Sequence, residues 1–149
     1  MKKEKKIKIN FIKFIQKPYV PSKYNLTTWV NFSSIEQFIN HVNLIFVGKK
    51  RMRTLNNRYL QKDRSTNVLT FTYDNEVFHG DIILCPEIIN KEAKEYGFSS
   101  DFRWAHMIVH SMLHLQGYNH NTKKEQSFME KTEVKLLNNM NFGNPYVRS

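Results

Sequence analysis

Polar and apolar residues alternate along KIKINFIKF, residues 6 to 14, which is the period of a strand with one buried face. Pro18 and Pro21 then break regular structure. From about Asn25 to Asn40 the apolar positions Leu26, Trp29, Val30, Phe32, Ile35, Phe38 and Ile39 recur mostly at helical spacing, so a helix is expected, with an interruption at Ser33–Ser34. HVNLIFV, His41 to Val47, predicts a second strand. Gly48 and the basic KKRMR lead into a helix to about Leu60, with Met52, Leu55 and Tyr59 on one face. NVLTFTY, Asn67 to Tyr73, is rich in β-branched and aromatic residues and predicts a third strand. Asp74–Asn75 marks a turn, and GDIIL, Gly80 to Leu84, a fourth strand. Pro86 suits the first position of a helix running to about Tyr96 and closed by Gly97. Ser99, Ser100 or Asp101 can cap the next helix, whose apolar face is Phe102, Trp104, Ala105, Ile108, Val109, Met112 and Leu113 and which ends at Gly117. Thr122 can cap a last helix with apolar contacts from Phe128, Met129, Val134, Leu136 and Leu137. No repeat, low-complexity block or linker interrupts this order. It predicts one α/β (α+β-like) domain over residues 1–149, a small four-stranded mixed sheet packed with about five helices.

Composition changes this picture little, and charge changes it more. At 149 residues, with 40% hydrophobic and 24% charged residues, the chain fits an ordinary soluble domain with a real core. One cysteine, Cys85, rules out an internal disulfide framework and fits a reducing compartment, which places the protein in the cytoplasm. No apolar run is long enough for a membrane span. The basic start MKKEKKIKINFIKFI resembles a signal peptide at first sight, but Lys8, Asn10 and Lys13 interrupt its apolar stretch, so it reads as a strand. The formal net charge of +10, from 23 Lys and Arg against 13 Asp and Glu, favours anionic partners, nucleic acid first. An A- and T-rich genome also raises lysine, so charge names a tendency to associate and no particular partner.

The sharpest chemical signal is HSMLHLQGYNH. Residues four apart on a helix lie one turn apart on one face, so His110 and His114 can offer two ring nitrogens to one ion. Gly117 lets the chain leave the helix, because glycine tolerates the left-handed conformation, and the turn through Tyr118 and Asn119 can return His120 as a third ligand. An isolated HxxxH is more often a pair of packed histidines; the added glycine and third histidine reverse that balance. Three imidazoles at the end of a central helix suit one Zn2+ ion with a fourth position open, although ligand type alone also admits nickel, copper or iron. His106, one further turn along, reads as a packed histidine before one that orients a ligand or touches substrate. His41 and His79 carry no comparable signal. The spacing also matches zinc peptidases of pattern HExxHxxGxxH, whose glutamate acts as general base. Here that position is Ser111, and no carboxylate occurs between residues 102 and 124, which argues against peptide hydrolysis.

HSMLHLQGYNH resembles the HGxLHLxGYDH signature of the YbeY family, bacterial metal-dependent endoribonucleases that mature ribosomal RNA. RTLNNRYLQKDRSTNVLTF is similar to the family's LNxxYRxxDxxTDVLSF segment through Leu55, Asn56, Tyr59, Asp63, Thr66, Val68, Leu69 and Phe71. HGDIIL is similar to its LGDIxI strand, and WAHMIVH to its run into the histidine helix, so the likeness extends from about residue 50 to 120. It implies a mixed α/β domain and single-strand-specific cleavage in the maturation of small-subunit ribosomal RNA and in ribosome quality control. The partners implied are ribosomal RNA and the small ribosomal subunit. The ion would polarise a phosphate oxygen, activate water, or both, with basic residues holding the backbone.

Three positions depart from the family pattern. The arginine that normally follows the tyrosine and is tied to activity is Leu60 here, so no catalytic side chain is assigned. Arg58 is two residues away, about 200° around an ideal helix. Arg53, Arg58, Lys62 and Arg64 are the nearby candidates for RNA contact, each also readable as a solvated charge. Ser111 replaces a glycine and is expected to add bulk beside the site. Asn119 replaces an aspartate; its amide oxygen still accepts a hydrogen bond but it is no base. Metal binding should survive these changes, whereas catalytic rate is in question. The alternative is a ribosome- or RNA-binding assembly factor with a structural zinc and weakened catalysis.

Overall fold

Alternation and helical periodicity resolve into nine elements among the residues described by the computed structural model, 6–36, 38–73 and 79–147. In chain order they are β1 (Lys8–Lys13), α1 (Lys23–Phe32), β2 (His41–Phe46), α2 (Lys49–Leu60), β3 (Val68–Tyr73), β4 (His79–Leu84), α3 (Pro86–Tyr96), α4 (Ser100–Leu115) and α5 (Lys123–Asn139). The strands form one sheet in the order β1-β2-β4-β3, with β1, β2 and β4 parallel and β3 antiparallel to β4. This is the small mixed sheet with five helices that the pattern predicts. The turn expected at Asp74–Asn75 lies outside the described residues.

Strand alternation sorts the side chains onto two faces. Val42, Leu44 and Phe46 of β2 and Ile82 and Leu84 of β4 enter the main core with α1, α4 and α5. On the other face Leu69 and Ile83 pack with Met52 and the partly buried Leu55 of α2. Helix α4 is buried on nearly every side, from Arg103 through Val109 without a break, because α1, α3, α5 and β3 all pack against it. It is two-sided all the same: Arg103, His106, His110 and His114 recur at helical spacing as one polar stripe among its apolar residues. The close fit of α4 to the sheet depends on Gly80: a Cβ there would lie 2.7 Å from Leu115 Cδ2 and 3.1 Å from the Phe71 carbonyl oxygen.

Local signals set most helix ends. The Ser99 and Thr122 side chains accept from the backbone N–H groups of Phe102 and Glu125, and Pro86 opens α3. The helix expected over residues 25 to 40 is shorter and starts earlier. Ser22 caps α1 by accepting from the Asn25 N–H, and the helix stops at Ser33. The reason is tertiary. Gln116, at the C-terminal end of α4, donates to the Ser33 carbonyl (2.8 Å) and accepts from the Glu36 N–H (2.9 Å), taking groups that a longer helix would use internally. Ile35 and Phe38 are consequently exposed, while Ile39 returns to the core. Among the described residues no helix is long and apolar enough to cross a membrane.

Candidate metal centre

The last turn of α4 carries His110 and His114, and the way the helix ends carries His120. Gly117 has φ +95°, its N–H bonds the His114 carbonyl, and the Tyr118 N–H bonds the Leu113 carbonyl. Those two bonds with a left-handed glycine are the Schellman ending, which reverses the chain direction within a few residues. His120 thereby comes back over the helix end. The nearest ring nitrogens of the three histidines all lie within 4.8 Å of one another, and His110 Nε2 and His114 Nε2 are 3.1 Å apart. Two nitrogens on a tetrahedral zinc would stand about 3.3 Å apart at ordinary Zn–N lengths. The spacing therefore fits one shared ion. His110 and His114 are part-buried and His120 is exposed, so the cluster opens to solvent on one side.

Protonation favours the same use. Burial, together with the neighbouring His110 and His120, pulls His114 down to about 4, so its ring is neutral at neutral pH and offers a lone pair. The tautomer of His110 is set from behind by Glu133, whose Oε2 lies 2.7 Å from His110 Nδ1. A carboxylate only accepts, so Nδ1 carries the proton and, in the neutral ring, Nε2 faces the other histidines with its lone pair. Glu133 itself has no exposed surface. Burial alone would raise its carboxyl, but hydrogen bonds from His106 and His110 outweigh that and bring it down to about 2.

A chain of partners continues behind Glu133. The Tyr146 hydroxyl donates to Glu133 Oε1, and burial and that carboxylate push the phenol upward. His106 is buried, its ionisation pushed down by desolvation. Arg103 Nη1 lies 3.2 Å from His106 Nδ1; since guanidinium only donates, the His106 proton sits on Nε2, 3.3 Å from Glu133 Oε2. Arg103 is in turn paired with Glu92 at 3.0 Å, and Glu92 accepts from Asn67 Nδ2 at 3.1 Å. No buried side-chain nitrogen or oxygen among the described residues lacks a partner.

Of the sequence candidates, the structure brings Lys62 and Arg64 to the histidines. Both line a cavity of about 410 Å³ shared with His110, His114 and His120, Leu60 and the start of β3. Arg53 and Arg58 do not line it: Arg53 makes a two-pronged pair with Asp63 at 2.8 and 3.0 Å, and Arg58 sits on the exposed side of α2. Because α2 continues to Leu60, Arg58 points well away from the wall that Leu60 occupies. Ser111 does not crowd the site as expected. It is fully buried, and its hydroxyl donates to the Met107 carbonyl of its own helix at 2.7 Å. His106 is packed, as its position suggested. His41 and His79 face each other across β2 and β4, apart from the triad.

Sequence reasoning missed Glu133, Tyr146 and the Arg103–Glu92 pair. One signal was available: Glu133 falls between Met129 and Leu136–Leu137 on the apolar stripe of α5, where an unpaired carboxylate would be costly. Tyr146 lies beyond the last helix and carries no periodicity.

The fold and this centre define a small α/β protein with an open three-histidine site backed by a buried carboxylate. A family model described as Endoribonuclease YbeY matches residues 5–141. The Endoribonuclease YbeY of Buchnera aphidicola subsp. Schizaphis graminum is 38% identical over 152 residues, covering 95% of this chain and 96% of its own. That of Burkholderia ambifaria is 40% identical over 133 residues, covering 85% and 73%. The solution structure of TM1509 from Thermotoga maritima shares the fold, with TM-score 0.56 at 24% identity over 89% of this chain and 91% of that one. The chain belongs to the YbeY family, as the motifs indicated.

Proposed function

We propose that this protein is a zinc-dependent, single-strand-specific endoribonuclease that matures small-subunit ribosomal RNA and serves ribosome quality control in the cytoplasm. The observation that carries the reading is the placement of three ligand-ready histidines on the wall of a cavity that also presents Lys62 and Arg64. The relatives' names as endoribonucleases point the same way. An ion held by His110, His114 and His120 would supply Lewis acidity toward a phosphate oxygen and an attacking water. The chain's own residues supply the rest. Glu133 holds His110 in its liganding tautomer, and Lys62 and Arg64 stand where they can take the phosphates flanking the scissile one. Ser111 is turned into the core, so no group at the peptidase base position reaches the site. The test is incubation of zinc-loaded protein with small-subunit ribosomal RNA precursors beside His114→Ala. Cleavage by the parent and none by the variant is expected; equal cleavage by both would remove the metal from the mechanism.

A second reading is an RNA-binding assembly factor with a structural zinc and weakened catalysis. It is favoured by Leu60, an apolar side chain 47% exposed on the cavity wall, with Arg58 turned elsewhere. Leu60→Arg separates the two. A large gain in cleavage supports a weakened site, whereas no gain over a vigorous parent excludes it.

A further inference from the structure

A second cavity, of about 310 Å³, meets the first at His110, Asn67 and Val68. It runs along the face of α4 from His110 back to Arg103, about 10 Å of helix axis, between Tyr96 and the Pro145–Tyr146 segment. Its chemistry differs from that of the first. The cavity with Lys62 and Arg64 offers exposed cations, whereas the cation here is already committed: Arg103 is 8% exposed, bonded to Glu92 through Nε and Nη2 and to His106 through Nη1. A phosphate would have to compete with Glu92 for it, so this cavity does not suit an anion.

What the lining does offer suits a flat, uncharged, hydrogen-bonding group. Tyr96, with the Arg103 guanidinium over its ring 5.0 Å from the centroid, and Tyr146, which keeps 45% of its surface exposed, contribute flat walls on which a base can stack. Asn67 Nδ2 is held by Glu92, which fixes the amide and makes Oδ1 the atom it presents as an acceptor. We propose that this cavity is a nucleobase subsite, which receives the unpaired base of the nucleotide next to the phosphate at the histidine centre. The assignment rests on the endoribonuclease reading and deepens it. A base in a duplex is stacked and has its hydrogen-bonding edge occupied, so filling this cavity requires an unpaired nucleotide. The subsite is then the physical origin of single-strand selectivity, and the Asn67 acceptor favours a base with an exocyclic amine over uracil.

The experiment uses single-stranded RNA 12-mers with one cleavage site and the zinc-loaded full chain. An abasic residue is walked through the positions on either side of the cut. Separately, 2-aminopurine placed at each position reports stacking by fluorescence quenching with the metal-free protein. Loss of one aromatic stacking partner lowers affinity by about 5- to 150-fold. We expect kcat/KM to fall by about that range for an abasic residue at one position adjacent to the cut, and quenching to peak there. Tyr96→Ala should abolish both position effects, and Asn67→Ala, a milder change, should remove the preference for amine-bearing bases. Cleavage that is indifferent to abasic placement, with no position-specific quenching, overturns the subsite while leaving the enzyme reading intact. Position-specific quenching lost in Tyr96→Ala, without any cleavage of the 12-mers, supports the subsite and sinks the enzyme reading. If the RNA is neither cut nor bound, both fall.

Discussion

At the residue scale, the centre is a set of imidazole rings, one of them aimed by a buried carboxylate. His110 contributes Nε2 to the cluster because Glu133 accepts from Nδ1, and Glu133 stays ionised because His106, His110 and Tyr146 donate to it. Such an orienting carboxylate is typically worth 10- to 100-fold in metal affinity. Glu133→Gln retains the shape but removes the charge and leaves a single acceptor oxygen, so the Nδ1–H of His110 faces a neutral and weaker acceptor. Zinc affinity, measured by competition with a chromophoric chelator, is expected to drop about 10- to 100-fold. Tyr146→Phe removes a single donor and keeps the ring, so a smaller loss is expected. Equal affinity in the parent and Glu133→Gln would show that the carboxylate only fills the core.

At the scale of elements, the histidines meet β3 and its basic approach because α4 packs on the sheet, with the Leu115 side chain at its end over Gly80 of β4. The atoms that a Cβ on Gly80 would meet include the Phe71 backbone oxygen, which cannot swing aside. Overpacking of this kind costs about 1–3 kcal/mol. Gly80→Ala is therefore expected to lower Tm by about 2–4 °C per kcal/mol lost, read by calorimetry on the metal-free protein. Leu115 is the residue after His114, so zinc affinity should weaken alongside; an unchanged Tm would mean that the helix moves off the sheet without cost. The same scale explains the shortened α1. Its apolar spacing continued past Ser33, but Gln116 captured the backbone groups that would have extended it.

At the scale of the whole molecule, packing also governs what the lone cysteine can do. Cys85 is fully buried at the start of α3, and desolvation raises its thiol above the ordinary value. In the folded state the thiol then keeps its proton at a pH where the unfolded chain has released it. The folded state binds more protons in that window, so stability is intact below the ordinary thiol range and declines as pH rises through it. Denaturation midpoints measured from pH 8 to 10 should fall more steeply for the parent than for Cys85→Ala, and thiol reagents should modify Cys85 only on unfolding. Rapid modification of the native protein would contradict its burial. The net charge of +10 was visible from composition, but only the fold distributes it, pairing Arg53 with Asp63 and bringing Lys62 and Arg64 to the histidines.

The strands and most of the helices are legible along the chain, because alternation, helical spacing and capping residues act over a few neighbours. So is the triad, since His110, His114, Gly117 and His120 lie within 11 consecutive residues and one helix ending suffices to gather them. The surrounding motifs carried the family. Tertiary structure decided what depends on partners far apart in the chain: Glu133 lies 23 residues from His110, and Asn67 lies 25 residues from Glu92. A buried carboxylate, a capped-off helix and a cavity wall are each defined by what stands opposite them, and no periodicity along the chain encodes that.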